Sequence, residues 1–211
     1  MAVRNAKTAA LDWVKVLTME ARLTDVVLTN EIVSKYKVSL ASARKALSRL
    51  TQRGLLSRVT DGVYANKLVR DVAAVDFIRI LRPNSYVSLE SALNQWGLST
   101  QSPVGLTCVT TGAPKEYRTP EFAITFRRIS KRLYWGFVEK QTRYSKYSLA
   151  EPEKALLDWV YLSLNMGTTP SLDEIDFKVL DREKLVKYAK SYPGSVQNVL
   201  THSLAFEHFA A

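Results

Sequence analysis

The stretch Thr29–Ala65, TNEIVSKYKVSLASARKALSRLTQRGLLSRVTDGVYA, restricts the possible folds of this chain more than any other. Thr29 is placed to cap a short helix, and Glu31 complements the dipole of its first turn. Ile32, Val33 and Tyr36 give that helix an inward face. Lys37-Val38-Ser39 reads as a tight turn, with Ser39 able to cap the helix that follows. In the second helix Leu40, Ala43, Leu47 and Leu50 recur at three- and four-residue intervals, so they are expected to face the core. Ala41, Ser42, Arg44, Lys45, Ser48, Arg49 and Gln52 are left outward. Gly54 stops the helix in a left-handed position, and Leu55–Val59 and Val63–Ala65 flank Thr60-Asp61-Gly62, a hairpin signal.

Helix, turn, basic helix and hairpin in that order predict a winged helix-turn-helix. Small and basic side chains on one helix face suit entry into a major groove, where Arg and Lys reach guanine edges or phosphates. The expected DNA contacts are Ser42, Arg44, Lys45, Ser48 and Arg49 on the helix, with Arg58, Thr60, Tyr64 and Lys67 on or beside the wing. Two plainer readings stand beside this one. A basic face is usually a solvated face, and such folds also dock proteins.

Charge placement favours a polyanion at this end. The chain carries a formal net charge of +10, and residues 1–67 hold twelve of its 30 Lys and Arg against five of its 20 acids. The remaining two-thirds is close to balanced.

Residues 8–22 predict a first support helix with Leu11, Val14 and Leu17 inward, and Leu23–Leu28 leads out of it. The domain boundary is expected near residue 68. Beyond it, Val72, Val75, Ile78 and Leu81 predict a helix ending before Pro83. Ser88 is expected to cap a second helix that stops at Gly97. Leu106–Thr111 opens a β region; Phe122, Ile124 and Phe126, then Leu133, Trp135 and Phe137, alternate as strands joined at Ser130-Lys131-Arg132. Tyr144–Leu149 can add another strand. Pro152 starts a helix apolar round most of its circumference, which belongs inside a domain. Helices over 181–191 and 195–209 follow. The whole is an α+β chain: a winged helix-turn-helix over 1–68, then a mixed α+β domain over 69–211 with a small antiparallel sheet and several helices.

Little in the sequence argues for catalysis. There is no Gly-rich phosphate loop, no G-x-S-x-G elbow and no metal-spaced Cys/His set. His202 and His208, six apart, do not share a helix face, and Glu151 and Glu153 are explained by the dipole of the helix they open. Cys108, the single cysteine, lies in an apolar run and is expected to be a buried, inert thiol. No enzyme activity, cofactor or metal is expected. Asp12 and Lys15 interrupt the only early apolar stretch that could form a signal-peptide core, and no run approaches membrane-spanning length, so the expected location is the cytoplasm.

The second domain carries further text. The segments Tyr86-Val87-Ser88-Leu89-Glu90-Ser91-Ala92-Leu93, Trp96-Gly97-Leu98, Val109-Thr110-Thr111-Gly112 and Ala150-Glu151-Pro152-Glu153-Lys154-Ala155-Leu156-Leu157-Asp158 resemble the AbiEi-type antitoxin family, over roughly residues 20–165. The resemblance implies an autoregulating antitoxin. Its N-terminal domain would bind double-stranded operator DNA and repress its own operon, while the C-terminal domain counteracts a nucleotidyltransferase-like toxin encoded next door. Such pairs are described as type IV, so no stable toxin complex is implied. Two competing readings are a ligand-sensing winged-helix regulator of an unrelated operon, and an enzyme that uses the helix-turn-helix only for docking.

Overall fold

The computed structural model describes residues 12–20, 25–69 and 72–202. Its contacts divide the chain into two compact units, Met1–Val72 and Ala73–Ala211. The fold is mixed α+β, with one three-stranded antiparallel sheet and one six-stranded sheet.

The first unit runs α1 (Trp13–Glu20), β1 (Val26–Leu28), α2 (Thr29–Tyr36), α3 (Leu40–Gln52), β2 (Leu56–Thr60) and β3 (Val63–Asn66). Asp12 opens α1 by accepting from the backbone N–H of Val14 and Lys15, both at 3.1 Å. Val16 and Leu17 of α1 face the core, whereas Val14, expected inward, is 37 % exposed. Leu11 and residues 21–24 lie outside the described residues. Thr29 does not cap α2. It is already helical and buried, and its N–H donates to the Gly62 carbonyl at 2.9 Å, tying the helix start to the hairpin turn. Lys37 makes the turn by adopting a left-handed conformation, φ 53°. Ser39 caps α3 as expected, its hydroxyl oxygen accepting from the Ser42 N–H at 3.1 Å.

Ala43, Leu47 and Leu50 of α3 join Val27, Ile32, Leu56 and Tyr64 in one buried cluster. Leu40, expected there too, is the first residue of the helix and remains 42 % exposed. Gly54 and Gly62 hold φ near +73° and +72°, ending α3 and turning the β2–β3 hairpin as the sequence predicts. β1, which the sequence presents only as a lead-in, completes the sheet: it pairs antiparallel with β3, in the order β1-β3-β2. Asn66 closes the unit, its side-chain amide donating to the Leu17 carbonyl.

The second unit holds α4 (Ile78–Leu81), β4 (Ser85–Val87), α5 (Leu89–Gln95), β5 (Leu106–Thr110), β6 (Lys115–Arg118), β7 (Ala123–Arg128), β8 (Phe137–Gln141), β9 (Lys146–Ala150), α6 (Pro152–Asn165), α7 (Arg182–Ala189) and α8 (Gly194–His202). The continuation of α8 to 209 falls outside the described residues. The sheet order is β6-β7-β5-β4-β9-β8, with β5·β7 and β4·β9 parallel. It is therefore neither small nor purely antiparallel. The expected hairpin at Ser130-Lys131-Arg132 is absent: those residues lead into a 3₁₀ turn, Lys131–Leu133, and β7 and β8 sit far apart in the strand order. The alternation of Leu133, Trp135 and Phe137 is not that of one strand: Leu133 is buried from the 3₁₀ turn, Trp135 is half-buried after it, and Phe137 is half-buried at the start of β8. Ile124 and Phe126 alternate inward on β7 as predicted. α5 and α6 pack together, α5 also lies on β5, and α7 and α8 pack on α6.

Candidate functional site

α3 carries three basic residues and no acidic one. With Ala43, Ala46, Leu47 and Leu50 buried, its remaining arc turns Ala41, Ser42, Arg44, Lys45, Ser48, Arg49 and Gln52 to solvent. At the hairpin end, Asp61 lies 2.9 Å from the Arg58 guanidinium and 4.0 Å from that of Arg44. The structure thus brings one helix arginine and one strand arginine to a shared carboxylate. Such exposed pairs contribute little to stability, so both guanidinium groups remain available to a stronger anion.

The other residues expected on or beside the hairpin behave differently. Thr60 is half-buried at the end of β2. Tyr64 is only 6 % exposed and packs in the core, so its side chain is not presented at the surface. A cross-strand tyrosine on a three-stranded sheet packed by helices has one apolar face to fill, and Tyr64 fills it. Lys67 is exposed at the far end of β3 from the Asp61-Gly62 turn. Ser42 also accepts a hydrogen bond from the Ser39 hydroxyl at 2.9 Å, part of the start of α3.

The second unit contains a polar cluster that residue-by-residue reading did not assemble. Lys154 and Asp158, one turn apart on α6, are both fully buried and form an ion pair. The Lys154 ammonium also donates to the hydroxyls of Tyr86, at 2.9 Å, and Tyr192, at 2.7 Å. Tyr86, Ser88 and Tyr192 in turn donate to the Asp158 carboxylate at 2.8, 2.9 and 2.7 Å. Ser88 therefore does not cap α5 with its side chain, because Asp158 takes its hydroxyl. The rings of Tyr86, Trp135 and Tyr192 each lie 5.3 Å from the ammonium. Gly136, at φ +73°, leaves room for the lysine stem; a Cβ there would sit 3.2 Å from its Cγ and Cδ.

Burial pulls the Lys154 ammonium below its ordinary range, against the charge and hydrogen bond of Asp158, which pull it up. Burial and the neighbouring carboxylate push the Tyr86 and Tyr192 phenols far up. All these groups satisfy one another out of reach of solvent, which makes the cluster a structural knot. Its sequence signal was present: a Lys and an Asp at i and i+4 on a helix otherwise apolar all round. Cys108 is likewise buried, and its thiol is pushed up by burial.

A separate cleft of about 540 Å³ opens on the second unit, lined by Glu90, Gln101, Thr125, Arg127, Trp159 and Glu174 among others. The Trp159 indole N–H donates to Glu90 at 3.1 Å. Among the described residues no group of three or more His, Cys, Asp or Glu could hold a metal ion, and no helix is long and apolar enough to cross a membrane. His208 lies outside the described residues.

Comparison with protein families matches residues 20–136, more than half of the chain, to the family of unknown function DUF6088. No curated protein matches.

Proposed function

The chain belongs to the DUF6088 family, which brings no activity with it, and we propose from its own residues that it is a DNA-binding autoregulator and antitoxin. In this reading the first unit is a winged helix-turn-helix. α3 enters the major groove of double-stranded operator DNA, and the β2–β3 hairpin is the wing. The observation that carries it is the exposed face of α3: Arg, Lys, Ser, Ala and Gln, without one acid, rigidly seated on a packed core. Arg44, Lys45, Ser48 and Arg49 are the helix contacts and Arg58 the wing contact, while Tyr64 supports them from inside.

The antitoxin half rests on the resemblance of residues 86–93 and 150–158 to AbiEi-type proteins. Those two segments supply Tyr86, Ser88, Lys154 and Asp158, so what they share is first of all a buried knot. The partner in this reading is a nucleotidyltransferase-like toxin, counteracted without a stable complex being required, and the protein works in the cytoplasm without catalysis of its own.

Binding to the duplex immediately upstream of the gene, followed by fluorescence anisotropy, tests the first half. Arg44→Ala should weaken that binding by about 1–3 kcal/mol. Unchanged affinity would remove α3 from the interface. Co-expression with the adjacent gene product tests the second half, and absence of growth rescue by the parent chain would sink it. The cleft of about 540 Å³ on the second unit favours one alternative, a ligand-sensing regulator. Operator affinity that changed with a small molecule and not with the neighbouring gene product would select it.

A further inference from the structure

The exposed arc of α3 is not uniform. Successive residues of an α-helix advance by about 100°. Round the arc from the hairpin side this gives the order Arg44, Ser48, Ala41, Gln52, Lys45, Arg49, Ser42, and then Arg53, which follows the last helical residue. Arg44 ends the arc beside Asp61, at 4.0 Å. The other end opens into a cleft of about 470 Å³ between α3 and the first turn of α1. Lys45, Arg49 and Arg53 all line this cleft, and with them Ser42. Among the described residues its only acid is Asp12, whose Oδ1 already accepts from the N–H groups of Val14 and Lys15. None of the three cations forms an ion pair with a described residue. The middle of the arc is neutral: Ser48 and Ala41 are short, and Gln52 carries an uncharged amide.

We propose that the α1–α3 cleft is a phosphodiester site, in which Lys45, Arg49 and Arg53 hold the backbone of one DNA strand while Ser48, Ala41 and Gln52 face the base edges. The inference rests on the DNA-binding reading and assigns roles within it. Three unpaired cations converging on one concavity repel one another unless an anion is shared between them, and DNA supplies a phosphate on each flank of a groove about 12 Å wide. The small Ser48 and Ala41 let the helix approach the base edges and the Gln52 amide can hydrogen-bond to them, whereas the cationic flank reaches the backbone. Arg53 thereby becomes a contact residue, and Arg49 contacts phosphate and not a base.

Phosphate and base contacts leave different marks. A phosphate contact weakens binding equally on every sequence and lowers the slope of log K against log salt by about 0.9. The full chain and its Arg53→Gln, Arg49→Gln and Gln52→Ala variants are titrated against the upstream duplex and an unrelated duplex of equal length, from low to high salt. The two arginine variants are expected to lose affinity by the same factor on both duplexes, with the shallower slope. Gln52→Ala should change the ratio between the duplexes and leave the slope alone. Circular dichroism melting checks that the folds are equal, which exposed positions should preserve. If Arg53→Gln and Arg49→Gln bind as tightly as the parent while Arg44→Ala binds weakly, the cleft assignment falls and DNA binding stands. If Arg49→Gln changes the duplex ratio, Arg49 reads bases and the assignment is wrong. A parent chain that binds neither duplex overturns both.

Discussion

Lys154 is the residue on which the second unit turns. A buried ammonium is tolerated only when its charge and all its donors are met, and here a carboxylate, two phenols and three ring faces meet them. Removing one partner leaves an uncompensated charge, so Lys154→Met should destabilise the unit by about 3–5 kcal/mol. Urea unfolding at neutral pH measures this, and a loss below about 1 kcal/mol would mean that Asp158 is satisfied without the lysine. Glu151, at the start of the same helix, gives a pH signature. Its partial burial would raise its carboxyl, but hydrogen bonds from Tyr188 and Lys184 and the charge of Lys184 outweigh this and hold it below its ordinary 4.5. A group lowered in the folded state contributes stability above its unfolded value and loses it as pH falls through the folded one. Glu151→Gln should therefore flatten the acid side of the stability curve, below about pH 4.5, and an unchanged curve would remove Glu151 from it.

At the scale of elements, α3 is fixed from both ends. Ser39 caps its start, and Gly54 lets the chain leave its end into β2. Ser39→Ala forfeits the cap and should cost the first unit about 1 kcal/mol, read from the unfolding midpoint. The hydroxyl also touches Ser42, so a cost well above about 2 kcal/mol would show that the two serines act as one element. Much of this helix was legible locally. Leucine and alanine spacing, the capping serine and the terminating glycine all act within a few residues of chain. Leu40 broke the pattern because periodicity marks a direction and not a depth, and the first turn of a helix can overhang its core. Tyr64 broke it in the other sense, because β1 arrives from earlier in the chain and closes the sheet around it.

At the scale of the molecule, the two compact units each enclose their own hydrophobic residues. Their unfolding is expected to separate in calorimetry. Leu47→Ala, in the core of the first, should lower one transition, and Lys154→Met the other. A single transition lowered equally by both would show that the units unfold together. The charge asymmetry belongs to this scale as well: +7 of the net +10 lies in residues 1–67, so in the proposed DNA-binding reading salt should weaken binding through the first unit.

The sequence by itself determined the order of helix, turn, helix and hairpin, the basic outward arc of α3 and the central position of α6, because each follows from periodicity and turn chemistry over short stretches. Only the tertiary structure decided the rest. In the second unit β4 pairs with β9 and β5 with β7, each across intervening strands of the chain, and no local pattern specifies such neighbours. Lys154, Asp158, Tyr86, Ser88 and Tyr192 come from three distant segments, and their mutual satisfaction exists only once the chain has brought them together. The cleft beside α3 is of the same kind: its cations were visible in the sequence, but α1 supplies the wall that gathers them round one concavity.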